Sequence, residues 1–352
     1  MKTKIAVQEL RELGQTALIK ANTPAEVAAL VMDDLLENEL TGYPSHGVLR
    51  LADYIGDIQS GVLNPAAIPA VSLTMPNIAI VDGCRAFGVL VRQELILVLQ
   101  KLALEHGIAI ACLRDAHHLG RLAAIGRSLA GFNDHPLAVI GFSNYQGNGA
   151  RVAPTGGHLA RLCTNPLLLA FPAHTADPFV LDMSTSTVSE GFIRRHVQEE
   201  KSVPPGCLVD GEKNDILDPA SLYDIPPRAT IQPLGGNLAG HKGYGLAVAM
   251  ELFCGALAGA GHVARPGAPG NGGLFLVIDP SRMPGGIDTI RSEAEAIMNY
   301  CRDSGRPEAP ARMPGEGYFT RHNGAKNTIT LSLPTSVLAE IRYLAGVIQK
   351  EV

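Results

Sequence analysis

The sequence lacks several features that would point to a function directly. Its 352 residues contain no tryptophan, only 5% aromatic residues and no basic block with interleaved aromatics, and the formal net charge is −5. Nucleic acid is therefore not an expected partner, because binding a phosphate backbone needs clustered positive charge. With 46% hydrophobic and 18% charged residues, the chain is predicted to be globular and long enough for two domains.

Cysteine pairs and long apolar runs are also scarce. The six cysteines are scattered with no C-x-x-C pair, which argues against a zinc site or a disulfide framework and favours a reducing cytoplasm. The first residues, MKTKIAVQELRELGQ, are charged and lack the apolar core of a signal peptide. The most apolar stretch, 243–261, contains Glu251 and many small residues. It predicts a packed core helix rather than a membrane span.

The signatures of several common enzyme classes are missing. The sequence has no G-x-G-x-x-G, no G-x-x-x-x-G-K-[ST], no H-E-x-x-H and no G-x-S-x-G. These gaps disfavour a doubly wound dehydrogenase, a kinase or ATPase, a zinc hydrolase and a serine hydrolase. No metal site is expected.

Hydrophobic periodicity predicts an α/β middle between helical ends. Residues 5–37 favour helices. The middle predicts helices at Phe87–Glu105 and Arg121–Ala130 and strands at Ile78–Val81, Ile108–Leu113, Leu137–Phe142, Leu167–Phe171 and Phe179–Leu181. The last part favours helices again, apart from strands at Leu274–Ile278 and Thr328–Leu331. We therefore expect a mixed α/β domain, residues 78–235, inserted into a mostly helical domain of residues 1–77 plus 236–352.

One short segment, residues 41–50, carries three polar side chains directly after a predicted helix. Ser45, His46 and Arg50 supply a hydroxyl, an imidazole and a guanidinium. Arginine grips a carboxylate with two parallel hydrogen bonds, and histidine exchanges a proton near neutral pH. The spacing suits a small anionic carbonyl substrate. The alternative is a helix cap, a turn histidine and a surface charge.

Four further polar islands each have two interpretations. Residues 114–121, RDAHHLGR, precede a predicted helix, where backbone N–H groups attract phosphate, or they form a capping loop. Asp182 follows a buried strand and either orients a histidine or caps the next helix. Residues 240–245, GHKGYG, offer Lys242 to a phosphate or ribose, or form a tight turn. Residues 314–316, PGE, either contribute Glu316 to a binding site or form a simple turn.

Taken together, these islands resemble one family. The segments that match occur in family order: SHGVLR, HHLGRL, TNPLLLAFP, PFVLDMSTS, PPGCLVD, PLGGNLAGHKGYGLAVAMELFCGALAG and MPGE. The resemblance extends nearly from end to end of the chain. The sequence resembles the type-2 malate/L-lactate dehydrogenase family, also called L-sulfolactate dehydrogenase-like, and its HHLGRL and PPGCLVD segments are most similar to the hydroxycarboxylate dehydrogenase branch. The resemblance implies an α+β fold, with a non-Rossmann NAD(P)-binding α/β domain inserted in a mostly helical domain. It also implies a homodimer with its site near the subunit and domain junctions.

The resemblance and the residue patterns assign roles to individual residues. His46 matches the proton donor of the family's SHG motif, Arg50 matches the arginine that holds the substrate carboxylate, and Asp182 is expected to support His46. Substrate binding is expected for Ser45, Arg50 and Thr164. Binding of NAD or NADP is expected for His118, Arg121, Val180, Leu181, Asp182, Met183, Ser184, Thr185, Ser186, His241, Lys242, Gly315 and Glu316.

Three positions depart from the family pattern. Cys163 replaces the glycine before T-N-P, Ala116 replaces a serine, and the A-x-G-K-I segment reads Ser189-Glu190-Gly191-Phe192-Ile193. None of them changes the expected proton donor or carboxylate clamp. They leave the choice between NAD and NADP open.

The expected activity is NAD(P)-dependent interconversion of 2-oxo acids and 2-hydroxy acids, with His46 as acid and base. One alternative is reduction of a cyclic imino acid, Δ1-piperideine-2-carboxylate or Δ1-pyrroline-2-carboxylate. Another is a catalytically silent binding protein of the same fold. The expected partner is the small-molecule substrate, with no membrane involved.

Overall fold

The computed structural model describes residues 2–131, 134–147, 149–174, 177–265, 267, 269–306, 308–309 and 311–349. The α-helices are α1 Val7–Lys20, α2 Ala25–Leu40, α3 Arg50–Gln59, α4 Gly88–His106, α5 Ala123–Ala130, α6 Glu190–Gln198, α7 Gly236–Met250, α8 Gly286–Arg302, α9 Tyr318–Ala325 and α10 Thr335–Leu344. The strands are β1 Lys2–Ala6, β2 Ala70–Met75, β3 Ile78–Asp82, β4 Ile108–Ala116, β5 Ala138–Gln146, β6 Leu167–Phe171, β7 Phe179–Met183, β8 Leu208–Val209, β9 Asp215–Ile216, β10 Thr230–Ile231, β11 Gly270–Ile278 and β12 Thr330–Pro334. Short 3₁₀-helices occur at Pro44–His46, Pro219–Leu222 and Pro280–Arg282, and a π-helix at Glu251–Leu257.

A seven-stranded sheet has the strand order β2-β3-β4-β11-β5-β6-β7. β3 and β4 run parallel, and the other neighbouring pairs are antiparallel. A doubly wound nucleotide-binding sheet is mostly parallel, so this sheet is of a different kind. Helices combined with a mainly antiparallel sheet confirm the predicted α+β class.

Packing of α4 on the sheet fixes the strand end that leads into the site. β4 buries Ala109, Ala111 and Leu113 on one face, as the period-2 alternation of a strand requires. α4 contributes Leu95 and Leu99 to the same core. The end of β4 at residue 116 is therefore held by the core, and the two histidines of the HHLGRL segment follow it directly.

A second core joins the two ends of the chain. β1 pairs antiparallel with β12, and α1, α2, α3 and α10 share a core that includes Leu10, Met32, Leu51 and Leu338. This is the arrangement that a discontinuous helical domain requires. β11 departs from it, because it pairs with β4 and β5 inside the large sheet and so lies with the α/β part. The division at residues 78 and 235 stays a prediction.

The most apolar stretch is less buried than its composition suggests. α7 and the π-helix follow each other directly, with Ala247 and Cys254 buried but Leu252 60% and Leu257 67% exposed. The prediction of a packed core helix is therefore wrong for one face of α7 and the π-helix. An apolar pattern alone does not show whether other parts of the chain pack against a helix face. Among the described helices, none has the length and hydropathy needed to cross a membrane.

Candidate active site

The segment after α2 brings three predicted side chains together. The 3₁₀ turn Pro44–His46 leads to α3, which begins at Arg50. Ser45 Oγ lies 3.1 Å from His46 Nδ1, and Arg50 Nε donates to the Ser45 carbonyl oxygen at 3.0 Å. The three residues form one mutually bonded unit between two helices.

A cavity of about 600 Å³ lies beside this unit. Its volume is in the range usual for small-molecule and cofactor sites. Four of the predicted site residues line it, namely His46, Arg50, His118 and Thr164. The SHG segment, the end of β4 and the loop before β6 therefore meet around one space.

One side of the cavity, here called the charged wall, is built by α3 together with Glu190 of α6. Arg50, Asp53, Tyr54 and Asp57 all line the cavity, because residues at i, i+3, i+4 and i+7 share one face of a helix. Asp57 Oδ2 lies 2.8 Å from Nε2 of the buried His117. The sequence analysis assigned no role to Asp53, Tyr54 or Asp57, whose signal is their helical spacing from Arg50.

Two imidazoles and a tyrosine form the centre of the site. His46 and His118 stack with ring centroids 5.7 Å apart, and the Tyr54 hydroxyl lies 2.9 Å from His118 Nδ1. Burial and the positive charges of Arg50 and Arg121 lower the pKa of His46 to about 3. Burial and Arg50 also hold the pKa of His118 well below its ordinary value. Both rings are therefore neutral at pH 7, and a negative charge beside Arg50 would make protonation easier.

Arg50 is shared by two carboxylates. Its Nη1 donates to Asp53 Oδ2 at 3.3 Å and its Nη2 to Glu190 Oε2 at 3.4 Å. Each terminal nitrogen has a second N–H, for which the hydrogen bonds among the described residues show no acceptor. Arg50 therefore keeps two donors for a bidentate grip on a ligand carboxylate.

A glycine lets α6 approach this unit closely. A Cβ on Gly191 would lie 2.8 Å from Ser45 Cβ and 3.1 Å from Arg50 Nη2, so glycine is required at this contact. Glu190, the first residue of α6, is thereby held beside Arg50, and its Oε1 accepts a hydrogen bond from the Tyr223 hydroxyl at 2.7 Å. In the sequence, Glu190 falls on the unspecified position of A-x-G-K-I and carries no signal of its own.

A second side of the cavity, here called the amide wall, carries Asn144 and Asn165. Their Nδ2 atoms donate to Glu251 at 3.0 and 2.9 Å. The Oδ1 atoms of both residues are buried and have no hydrogen-bond donor among the described residues. Both oxygens are covered by protein atoms, and a Cβ on Gly272 would lie 2.7 Å from Asn144 Oδ1. The sequence analysis did not single out either residue, since an asparagine in a strand or loop carries no signal of its own.

Asp182 has partners other than the one expected for it. Its Oδ2 accepts the backbone N–H of Ala123, the first residue of α5, at 2.8 Å. Burial raises its pKa, while that hydrogen bond and the positive charges of Arg121 and Arg127 oppose the rise. Asp182 therefore caps α5, which precedes it in the chain, and the expected direct bond to His46 does not occur among the described hydrogen bonds. Ser45 holds the His46 ring instead.

The predicted cofactor residues of β7 lie next to the MPGE segment. The backbone N–H of Val180 donates to the Pro314 carbonyl oxygen at 3.0 Å. Gly315 has φ +88°, and a Cβ there would lie 2.9 Å from the Val180 nitrogen, which explains the glycine. Glu316 accepts the backbone N–H of Met313 at 2.8 Å. Residues predicted from two distant segments are therefore neighbours in space.

The end of β7 connects this region to the cavity. Thr185 Oγ1 donates to the carbonyl oxygen of Asn165 at 3.0 Å. The other predicted residues of this strand and its exit are Leu181, Met183, Ser184 and Ser186. Arg121 is buried, with its guanidinium carbon 3.2 Å from the centre of the Tyr43 ring. His241 and Lys242 are exposed on α7 and do not line the cavity.

Comparison with known proteins decides the family. The model of the malate/L-lactate dehydrogenase family matches residues 5–342. The chain belongs to this family. An L-lactate dehydrogenase of Cupriavidus necator is 30% identical over 97% of each chain. A Δ1-pyrroline-2-carboxylate reductase of Ancylobacter novellus is 27% identical, again over 97% of each chain.

Solved structures agree with the family fold. The sulfolactate dehydrogenase of Methanocaldococcus jannaschii superposes with a TM-score of 0.79, at 25% identity over 98% of this chain and 97% of that one. The resemblance to an L-sulfolactate dehydrogenase-like fold is thereby confirmed.

Proposed function

We propose that this chain interconverts 2-oxo acids and 2-hydroxy acids with NAD or NADP, and that His46 is the acid and base. One observation carries the proposal: His46 lies beside Arg50 in a cavity of about 600 Å³, and Arg50 keeps two donors. Membership of the malate/L-lactate dehydrogenase family supports it.

The roles of the residues follow from their contacts. Arg50 binds the carboxylate of the substrate and thereby orients C2, which lowers the entropic part of the barrier. Because Nδ1 of His46 is bonded to Ser45 Oγ, Nε2 is the nitrogen that exchanges a proton with the oxygen on C2. Neutral His46 takes this proton in oxidation. In reduction, the bound carboxylate offsets the charge of Arg50 and so helps His46 to hold the proton that it delivers.

The amide wall fits the nicotinamide end of the cofactor. Asn144 and Asn165 line the cavity, and their Oδ1 atoms have no donor among the described residues. Turning either side chain would bring its Oδ1 to the N–H groups of a nicotinamide carboxamide. The bound cofactor supplies or accepts the hydride at C2. We assign His118 and Arg121, residues 180–186 with Gly315 and Glu316, and His241 with Lys242 to binding the rest of the cofactor.

The oligomeric state belongs to the same proposal. We propose a homodimer in which the exposed apolar face of α7 and the π-helix is covered, since Leu238, Leu252 and Leu257 are 94%, 60% and 67% exposed. Contiguous exposed apolar surface of this kind usually marks an interface. Light scattering coupled to size exclusion measures the mass in solution. A monomer at micromolar concentration would contradict the dimer.

A second candidate function is reduction of a cyclic imino acid. It is favoured by the two carboxylates that share Arg50, because such a substrate carries a positive nitrogen beside its carboxylate. A silent binding protein is disfavoured because the contacts of Ser45 with His46 and with Arg50 are intact.

The test is the change in nicotinamide absorbance with NADH and NADPH separately. The panel contains pyruvate, oxaloacetate, sulfopyruvate and the two cyclic imines. Turnover of an oxo acid supports the first proposal, and turnover of imines alone supports the second candidate. Absence of turnover together with absence of cofactor binding would leave only a binding protein.

A further inference from the structure

Glu190 directly precedes Gly191, the residue of α6 that packs against Ser45. Glu190 lines the cavity together with His46 and Arg50. Its Oε1 is fixed by the Tyr223 hydroxyl at 2.7 Å and its Oε2 by Arg50 at 3.4 Å. Burial alone would raise its pKa, but Arg50, the Tyr223 hydrogen bond and Arg194 together lower it. Glu190 is therefore a carboxylate held in one place beside the clamp.

The charges around the cavity are balanced before any ligand binds. Of the described residues that line it, the charged ones are Arg50, Arg151, Arg194, Asp53, Asp57 and Glu190. The three arginines and three carboxylates cancel. Of the three histidines in the lining, burial and Arg50 lower the pKa of His46 and of His118, and His117 is paired with Asp57. A 2-oxo acid adds one negative charge to this space, whereas a protonated cyclic imine with its carboxylate adds none. Burying an unbalanced charge is unfavourable, so the balance favours the zwitterion.

The position of Glu190 relates this preference for a zwitterion to one part of the substrate, the atom attached to C2. A substrate carboxylate bound by the two remaining N–H groups of Arg50 lies on the same guanidinium that Glu190 contacts. The atom attached to C2 of that substrate is one bond further along and so lies near the Glu190 carboxylate. A ketone oxygen there meets like negative charge, whereas a protonated imine nitrogen donates a charge-assisted hydrogen bond.

We infer that Glu190 is a specificity-determining residue that favours substrates with a protonated nitrogen on C2, such as a cyclic imino acid, over 2-oxo acids. The inference rests on the proposed function, whose two candidate substrate classes it ranks. In the favoured reaction, hydride from NADH or NADPH forms the new C–H bond at C2, and the π electron pair of the C=N⁺ bond becomes the lone pair of the amine. The nitrogen already carries its proton, so the step balances without a further acid.

The first experiment uses Glu190→Gln, which keeps the size of the side chain and removes its charge. The matched control is Glu199→Gln at the other end of α6, where the carboxylate pairs with Arg195 and Lys201 away from the cavity. We measure kcat/KM for Δ1-pyrroline-2-carboxylate and for pyruvate. The imine-to-pyruvate ratio should fall by roughly tenfold or more in Glu190→Gln, the worth of one charge-assisted hydrogen bond, and stay unchanged in Glu199→Gln. An unchanged or higher ratio in Glu190→Gln overturns the inference.

A second measurement does not depend on turnover. Pyrrole-2-carboxylate and furan-2-carboxylate have the same shape, but the first presents an N–H where the second presents an oxygen. Wild-type protein should bind the pyrrole more tightly in calorimetric titration, and Glu190→Gln should lose that difference. Equal weakening of both analogues would show that Glu190 only holds Arg50, and a preserved difference would show that another group reads the nitrogen; either result overturns the inference. If wild-type protein turns over neither substrate class, the proposed function fails while this comparison still tests Glu190.

Discussion

The two walls of the cavity differ in how they hold polar groups. On the charged wall, Arg50 is paired with Asp53 and Glu190 at 3.3 and 3.4 Å. On the amide wall, Asn144 and Asn165 spend their N–H groups on Glu251 and leave their oxygens without donors among the described residues. The charges of the first wall are paired, whereas the second wall keeps two uncharged acceptors that are covered by protein atoms. We propose that the charged wall selects the charge of the substrate and that the amide wall binds the neutral carboxamide of the nicotinamide.

The largest effect is expected from His46, which precedes the charged wall in the chain and lines the same cavity. His46→Ala should lower kcat by roughly 10²–10⁴-fold, the usual worth of general acid–base catalysis, since no proton is then exchanged with the oxygen on C2. His158→Ala, at an exposed histidine that does not line the cavity, is the control and should lower kcat far less. Steady-state kinetics on both variants checks the expectation. A His46→Ala enzyme with near-normal kcat would remove this residue from the chemistry.

Arg50→Lys breaks the clamp without removing its charge. Lysine cannot form the bidentate fork, so KM for the carboxylate substrate should rise by roughly 10–100-fold, with a smaller change in kcat. Arg195→Lys on α6 makes the same exchange outside the cavity and should leave KM unchanged. Equal KM values for the two variants would refute the clamp.

On the amide wall, Asn165→Ala should raise the dissociation constant of the nicotinamide cofactor by roughly tenfold, because one hydrogen bond contributes about 1–1.5 kcal/mol. The same change should also lower the melting temperature, since Asn165 Nδ2 bonds both Ala247 and Glu251. Fluorescence titration and thermal unfolding separate the two effects. A lower melting temperature with unchanged cofactor affinity would show that Asn165 is purely structural.

The smallest expected effect is a change in the pH dependence of stability. The pKa of His46 is lowered from 6.5 to about 3 by burial and by Arg50 and Arg121. Between pH 6.5 and about 3, His46 is therefore protonated in the unfolded chain and neutral in the folded chain. The contribution of His46 to the free energy of unfolding is fully present above pH 6.5 and is lost as the pH falls toward 3. His46→Gln should make the free energy of unfolding less dependent on pH in this window. Denaturant unfolding at pH 7.5 and 5 measures it, and an unchanged slope would contradict the buried neutral state.

The structure brings together those predicted site residues that are neighbours in the sequence. Ser45, His46 and Arg50 lie within six positions of each other, and a helix end brings such neighbours together without help from the rest of the fold. Six strands of the seven-stranded sheet, β3, β4, β5, β6, β7 and β11, were predicted from the sequence, and β2 was not. The short strands β8, β9 and β10 of the separate three-stranded sheet contain too few residues to show a periodic pattern.

Sequence reasoning failed where a role depends on partners that are distant in the chain. Asp182 carries the same motif whether it bonds a histidine or caps a helix, and only the fold places Ala123 against it. Asn144, Glu190 and Glu251 become site residues through contacts across more than one hundred positions or through helix packing. No local pattern encodes such contacts.

The most direct test measures two dissociation constants in the same two variants. Oxamate stands in for the 2-oxo acid, and each ligand is titrated with the other present at saturation. We expect Arg50→Lys to raise the dissociation constant of oxamate and to leave that of the nicotinamide cofactor nearly unchanged. We expect Asn165→Ala to raise the dissociation constant of the cofactor and to leave that of oxamate nearly unchanged. If both variants weaken both ligands alike, the two walls do not have separate roles, and the assignment of substrate and cofactor to them is wrong.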